Sequence, residues 1–227
     1  MSAKCGVLAA VSCRPRTVSG MSKLCGVALL PEQTVTEQLI AFQRRHRAVI
    51  AGPALGFDVN LPHLSLFQTM LVPAAHRALL RSVASSVDSA QLQGSIASFS
   101  RVDVKAGTWV FADVAASWLR EVADMAVAAL SPLVCWSDVN VGDPMHGHSA
   151  AEIRSQATYG YRYVGDAFAP HVTLGVLPPG APTTLHRKVV AAEFLEEFSD
   201  VRFDRVVSYV AGEYGALVEC VDAVLLK

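Results

Sequence analysis

The pattern of apolar and polar residues predicts strands and amphipathic helices without a regular βαβ alternation. Residues 24–30 form an apolar run that is typical of a buried strand. Residues 33–49 and 117–130 have the apolar spacing of helices, and residues 154–163 are predicted to be a strand. Helices mixed with hairpins in this way predict an α+β fold with antiparallel sheets.

The same succession of elements occurs twice along the chain. In each copy a short strand with a histidine is followed by a helix, after Pro73 or Pro182, and then by a β-hairpin. From His63 to the glycine of its hairpin turn there are 44 residues, and from His171 there are 41. The repeat predicts two similar lobes, each with its own sheet flanked by helices, that face each other across a central cleft.

Composition and charge narrow the class of protein. Hydrophobic residues make up 52% and charged residues 17% of the 227 residues, which indicates a globular protein. With a net charge of -1 the chain offers no basic field for duplex DNA, whereas a nucleotide or an RNA end needs only a local basic pocket. No apolar run reaches the roughly 18 residues of a membrane span.

The first residues differ from the rest of the chain. Residues 1–31 contain four basic and no acidic residues, which fits a transit peptide, a weak secretory signal, a start upstream of Met21 or an extension without function. We therefore treat 1–20 as an extension and 21–227 as a single bilobal domain. Five scattered cysteines without a CxxC pair suit a reducing compartment. We expect a cytoplasmic protein, with organelle targeting by residues 1–20 as the alternative.

Each repeated strand carries a histidine and a hydroxyl residue two positions apart. His63 and Ser65 share one face of their strand, as do His171 and Thr173, at a spacing of roughly 6.6 Å. The hydroxyl can donate a hydrogen bond to a phosphoryl oxygen while the imidazole moves a proton. Two such units facing each other supply an acid and a base on opposite sides of a phosphorus atom, as in-line displacement requires. This chemistry needs no metal.

A single strand histidine is more often structural than catalytic, so the hypothesis depends on the shared frame of the two motifs. His63-Leu64-Ser65-Leu66 and His171-Val172-Thr173-Leu174, each preceded by proline, resemble the paired signature of the 2H phosphoesterase superfamily. That superfamily includes the RNA 2′,3′-cyclic phosphodiesterases long called 2′-5′ RNA ligases. The resemblance covers roughly residues 22–227, and the stretch from Asp138 to Ala157 is the best candidate for additional length.

The resemblance implies a bilobal, pseudo-twofold fold with both motifs in one cleft. It further implies hydrolysis of 2′,3′-cyclic phosphates or of 2′-5′ bonds in RNA or nucleotides, without metal or cofactor. His63 and His171 are then the catalytic pair, and Ser65 and Thr173 bind phosphate. Ligation of RNA ends is the reverse reaction of the same pair, and which histidine is the acid stays open.

Other polar residues are candidates for substrate contact. Tyrosine can stack on a base and arginine can pair with phosphate, so four residues before the second motif are candidate substrate-binding residues. They are Arg154, Tyr161, Arg162 and Tyr163. The alternative is an ordinary strand with alternating exposure. The arginines of residues 44–47 are interpreted as a solvated helix face in preference to an RNA contact.

Three classes of function remain open at this point. The first is the phosphodiesterase, which we expect to act as a monomer. The second is a nucleotide- or RNA-binding module of the same fold without turnover. The third is an unrelated metallohydrolase that uses His146 and His148 as ligands, although histidines in a glycine-containing polar loop are usually only exposed.

Overall fold

In a computed structural model of the chain, most of the predicted domain is described. The described residues are 22–71, 83, 96–105, 108–139, 148–178, 180 and 184–226. The extension of residues 1–20, most of the helix predicted after Pro73, the turn at 106–107 and most of the predicted loop at 138–147 lie outside this set.

Seven strands form one antiparallel sheet in the described chain, where two sheets were predicted. The strands are β1 (Lys23–Pro31), β2 (Leu64–Leu71), β3 (Ile96–Lys105), β4 (Trp109–Ala115), β5 (His171–Val176), β6 (Asp200–Ala211) and β7 (Leu217–Leu225). Their order is β1-β2-β5-β4-β3-β6-β7, and β6 also pairs with β1. Both predicted hairpins are confirmed, because β3 pairs with β4 and β6 pairs with β7.

Strand β4 of the first copy pairs with β5 of the second, and two further connections join what was predicted to be two sheets. Leu64 of β2 pairs with Val172 of β5, and residues 200–202 at the start of β6 pair with the start of β3. With the β1–β6 pairing, these connections close six of the strands into a ring. Both connections join residues more than 100 positions apart in the chain, so the pattern along the chain does not contain them.

Four helices accompany the sheet in the described residues. They are α1 (Gln33–Arg45), α2 (Leu119–Leu130), α3 (Ala150–Tyr159) and α4 (Thr184–Glu197). Helix α1 contacts β1 and β5, α2 contacts β2, and α4 contacts β3. Among these described elements no helix has the length and apolar character needed to cross a bilayer.

The core lies between the helices and one face of the sheet. Along β2 and β5 buried and partly exposed residues alternate, so that Leu64, Leu66, Val172 and Leu174 are all fully buried. A β-bulge in the β1–β2 pairing interrupts this alternation, because Val27 pairs with Phe67 while Ala28 pairs with Ser65. Leu66 and Phe67 are therefore both buried in succession, at an estimated gain of about 2 kcal/mol for each side chain.

The predicted strand at residues 154–163 is wrong, since most of this stretch belongs to α3. The helix begins with a capping box, in which Ser149 Oγ accepts from the Glu152 amide and the Glu152 carboxylate accepts from the Ser149 amide. It ends at Gly160, whose φ of 69° is the left-handed conformation that glycine adopts without strain. Only residues 161–163, beyond this cap, are non-helical.

Candidate active site

The two motifs lie on neighbouring strands and meet at one cross-strand pair. Leu64 and Val172 form this pair, and both side chains point into the core. Because side chains alternate between the faces of a strand, the residues flanking the pair point to the opposite face. These flanking residues are His63, Ser65, His171 and Thr173. The structure thus brings the four predicted site residues to one face of the sheet.

Both histidines make the same hydrogen bond to the backbone. The Nδ1 atom of His63 lies 2.7 Å from the carbonyl oxygen of Leu61, and Nδ1 of His171 lies 2.6 Å from that of Ala169. A carbonyl oxygen can only accept, so Nδ1 carries the proton and donates in both cases. In the neutral imidazole the lone pair then lies on Nε2, which can accept a proton. His63 differs from His171 in a second hydrogen bond, to the backbone of Gly215.

The proline before each histidine accounts for this geometry. A residue that precedes proline is restricted to extended backbone conformations, and Leu61 precedes Pro62 just as Ala169 precedes Pro170. The second segment is also anchored to the sheet, because the Val114 amide donates to the Pro170 carbonyl at 2.9 Å. Each carbonyl is therefore held two residues before the imidazole that donates to it.

Burial lowers the pKa of both histidines. The pKa of His171 falls from 6.5 to about 4 because of burial, although the nearby Asp113 carboxylate opposes the change. The charge of His63 lowers the pKa of His171 further, so the two rings lie within electrostatic reach of each other. Burial also lowers the pKa of His63. Both imidazoles are consequently neutral near pH 7 in the free protein.

Ser65 belongs to a network of buried hydroxyl groups. Its Oγ lies 2.8 Å from the hydroxyl of Tyr209, which also accepts from Gln68 Nε2 at 3.3 Å. The β-bulge in β2 brings Gln68 to the face of Ser65. Tyr209 pairs with Gly26 of β1, where a Cβ atom would come within 2.7 Å of the tyrosine ring. Glycine at this position therefore makes room for Tyr209.

The second motif has aromatic and charged neighbours instead. The ring of Phe111 stacks on His171 with centroids 3.8 Å apart and an interplanar angle of 16°, and Tyr163 contacts His171 edge-on at 5.3 Å. Phe111 pairs directly with Thr173 across the β4–β5 ladder. Within the described chain the Thr173 side chain makes no hydrogen bond, so its hydroxyl is available to a ligand.

A carboxylate lies directly across from His171. Asp113 of β4 pairs with His171 of β5, and its carboxylate accepts from Arg101 Nε at 3.0 Å and from Nη2 at 2.7 Å. These two bonds fix the carboxylate on the site face of the sheet. Its negative charge raises the pKa of His171 and so favours the imidazolium when a proton is available.

Three of the four further substrate candidates lie beside the motifs. Tyr161 is hydrogen-bonded to Ser65, and its ring contacts Phe67 at 5.8 Å and Tyr163 at 5.6 Å. Arg162 is hydrogen-bonded to Tyr163, and its Nη1 lies 2.6 Å from Nε2 of His148.

The fourth candidate, Arg154, is a helical residue. It is exposed in the middle of α3 and has no hydrogen bond or ion pair with any described residue. The segment 161–164 is instead held by the buried Ser155 of the same helix. Ser155 Oγ donates to the Tyr161 carbonyl at 2.7 Å and accepts from the Val164 amide at 3.0 Å.

Sequence reasoning missed several residues that build the site. Tyr209, Phe111 and Asp113 lie in the predicted hairpins, and their proximity to the motifs depends on strand register. Asn60 was missed as well: it is buried, and its Oδ1 accepts from the Leu217 amide at 2.9 Å. Asn60 could have been found as a polar residue three positions before a motif histidine. The sequence contains no comparable signal for the other three residues.

The remaining candidates lie elsewhere or outside the described chain. Residues 44–47 follow the core-facing part of α1, and Arg45 forms an ion pair with Glu197. His146 is not described, and no cluster of three metal-ligating side chains occurs in the portions of the chain that are. A cavity of about 400 Å³ lies on the helical side of β3 and is lined by none of the motif residues.

Comparisons with known proteins give a likeness in structure alone. No protein-family profile matches the chain, and no curated protein matches it by sequence. A crystal structure of E. coli LigT complexed with 3′-AMP matches at 15% identity and a TM-score of 0.37, covering 92% of this chain and 96% of that chain. LigT in apo form matches over the same shares at 13% identity and a TM-score of 0.41.

LigT is a 2H phosphoesterase. At identities and TM-scores this low, the likeness assigns neither an activity nor a residue role to the chain.

Proposed function

We propose that this chain is a phosphodiesterase that opens 2′,3′-cyclic phosphates or 2′-5′ bonds of nucleotides or RNA ends by two-histidine acid-base catalysis. One observation carries the proposal: both motif histidines, on neighbouring strands, have the same backbone bond at Nδ1, so that Nε2 of each ring holds the lone pair of the neutral imidazole. A structural histidine needs no such match with a second one, whereas an acid-base pair needs two correctly oriented rings.

The proposed reaction follows from these orientations. Nε2 of one neutral histidine takes a proton from water as the water oxygen attacks phosphorus. The bond from phosphorus to one ribose oxygen breaks, and the other histidine, as imidazolium, gives its proton to that oxygen. Ser65 and Thr173 donate hydrogen bonds to the phosphoryl oxygens. With the 5′-hydroxyl of an RNA in place of water as the nucleophile, the same acid-base pair joins that end to a 2′,3′-cyclic phosphate, so RNA ligation is part of the proposal.

The imidazolium needs a source of its proton, because burial lowers the pKa of both rings in the free protein. A bound phosphate supplies negative charge at the site, which raises the pKa of an adjacent histidine. Substrate binding therefore favours the protonated acid. Because histidines carry both proton transfers, we expect turnover to persist in EDTA.

The duplicated arrangement belongs to the same proposal. Strand β2 precedes the hairpin β3–β4, and strand β5 precedes α4 and the hairpin β6–β7. This common order supports a pseudo-twofold relation between two halves, with the substrate held between them. Among the further candidates, Tyr161, Arg162 and Tyr163 are proposed to contact the nucleotide. The monomeric state and the cytoplasmic location stay predictions from sequence.

The test is a panel of 2′,3′-cyclic nucleotides and of 2′-5′ and 3′-5′ dinucleotides, assayed in EDTA. We expect products with a 2′-phosphate from the wild-type chain, and a loss of roughly 10²- to 10⁴-fold in His63→Ala and in His171→Ala. His46→Ala is the matched control, since His46 lies at the end of α1 and pairs with Glu193. Thermal unfolding checks that each variant is folded.

Three results would contradict the proposal. Near-wild-type turnover in either motif variant rejects the acid-base pair. Loss of activity in EDTA rejects the metal-independent mechanism. Nucleotide binding without turnover of any substrate favours the binding module instead.

A further inference from the structure

In the buried hydrogen-bond network next to Ser65, the donor and the acceptor of each bond can be assigned. Tyr209 is fully buried, in a small apolar cluster with Ala28, Leu30, Val207 and Leu217. An amide nitrogen can only donate, so the Tyr209 oxygen accepts from Gln68 Nε2. The phenol hydrogen is then free to be donated to Ser65 Oγ, at 2.8 Å. Burial raises the pKa of Tyr209 to about 12, so the phenol keeps this hydrogen at neutral pH.

A serine hydroxyl has one hydrogen to donate and two lone pairs that accept. With Tyr209 donating to it, and Tyr161 as its second phenolic neighbour, Ser65 has two groups that can fill its lone pairs. A phenol can rotate to donate or accept, whereas a phosphoryl oxygen only accepts. A phosphate at the site therefore takes the Ser65 hydrogen, and both tyrosines then donate to Ser65.

Thr173 of the second motif has no equivalent network. In the described portion of the chain its hydroxyl has no hydrogen-bond partner, and its cross-strand neighbour is the apolar Phe111. The two hydroxyl residues of the repeated motif thus differ, because only Ser65 has buried groups that fix the direction of its hydrogen.

We propose that Tyr209 is a positioning residue which, supported by Gln68, orients the Ser65 hydroxyl as a donor to a phosphoryl oxygen of the substrate. This inference rests on the proposed function and deepens it. It assigns phosphate recognition in the first motif to a chain of three side chains, Gln68, Tyr209 and Ser65, which lie on two strands that both pair with β1.

A double-mutant cycle tests the inference. Tyr209→Phe, Ser65→Ala and the double variant are compared with the wild type in kcat/KM for a 2′,3′-cyclic nucleotide. We expect Tyr209→Phe to lower kcat/KM by about 3- to 10-fold, the effect of one hydrogen bond, and to have no further effect when Ser65 is already alanine. Gln68→Met should act in the same direction with a smaller loss.

Tyr159→Phe is the matched control, because this tyrosine packs against the core at the end of α3. It should leave kcat/KM unchanged. An equal effect of Tyr209→Phe in both backgrounds would show a merely structural role and would overturn the inference. If Tyr209→Phe fails to fold, the same cycle is run with Gln68→Met and Ser65→Ala.

Binding separates this inference from the proposed function. The four proteins of the cycle are titrated with a nucleoside 2′-monophosphate, whose binding requires no turnover. Coupling between Tyr209 and Ser65 in binding, without catalysis by the wild type, overturns the proposed function and supports the inference. Absence of binding, or binding without coupling, overturns the inference even where turnover is observed.

Discussion

The two motifs share one local geometry but lie in different surroundings. His63 is only 9% exposed, and its ring contacts that of Tyr209 with centroids 5.1 Å apart. Its motif partner Ser65 is bonded to tyrosine hydroxyls, so this half of the site is buried and uncharged. His171 instead stacks on Phe111 and lies opposite the Asp113 carboxylate.

This difference shows that the repeated motif determines the orientation of each histidine ring but not the electrostatic environment of that ring. The Nδ1 bond depends on three successive residues and occurs in both copies. The pKa of each ring depends on neighbouring strands, which differ between the copies. Equivalent histidines can therefore take unequal parts in proton transfer.

The largest effect is expected from removal of the ring stacked on His171. Phe111→Ala should lower the free energy of unfolding by about 3 kcal/mol, because a buried aromatic side chain leaves a cavity. It should also raise the pKa of His171 toward 6.5, since burial is the main cause of the low value. Urea unfolding and an NMR titration of the imidazole measure the two effects.

Phe111→Leu is the control for this change, because it keeps most of the apolar volume and should cost less than about 1.5 kcal/mol. An unchanged His171 pKa in Phe111→Ala would show that the stacked ring does not set the environment of the second half.

The two hydroxyl residues should differ in their importance for stability. Ser65→Ala removes a partner of the buried Tyr209 hydroxyl and should cost about 1–3 kcal/mol of unfolding free energy. Thr173→Val breaks no bond within the described chain and should stay within about 0.5 kcal/mol. Both should reduce kcat/KM. Equal stability losses, measured by urea unfolding, would remove the asymmetry between the halves.

The last comparison concerns the dependence of stability and activity on pH. The folded pKa of His171 is about 4 while its ordinary value is 6.5, so the unfolded chain binds the proton first. The contribution of this group to stability is therefore complete above pH 6.5 and is lost as pH falls through 4. In kcat/KM, which reports the free protein, we expect a bell-shaped profile with one limb for each motif histidine and both limbs below pH 6.5.

The variant Asp113→Asn tests whether the two histidines titrate in separate environments. Loss of the carboxylate removes a cause that raises the pKa of His171, so the limb of the profile that belongs to His171 should move to lower pH. The limb of His63 should not move. A shift of both limbs, or of neither, would contradict the separate environments of the two halves.

Much of the fold could be predicted from local patterns. Both hairpins and the strand at residues 24–30 are confirmed, as are the helices that became α1, α2 and α4. The helix α3 was missed because its apolar pattern is weak, although Ser149, Glu152 and Gly160 signalled its two ends. The capping residues are therefore a better predictor of structure in this stretch than the alternating tyrosines that follow the helix.

The site could be predicted only in part, for a different reason. The four motif residues share a face because of strand alternation, which is local. Tyr209 meets Ser65 through the β1–β6 register and the bulge between β1 and β2, which join distant parts of the chain. The single sheet follows from contacts of the same kind, such as Leu64 with Val172.

The backbone bonds at Nδ1 have a consequence for how this site can vary between sequences. A side chain that orients a catalytic histidine can be lost by one substitution, but a carbonyl oxygen is present in every residue. Positions 61 and 169 already hold leucine and alanine, which differ in volume yet accept the same hydrogen bond. Substitutions at these two positions therefore keep the imidazole tautomer unchanged. Substitution of the prolines that follow them can change it, because the prolines hold the two carbonyl groups in place.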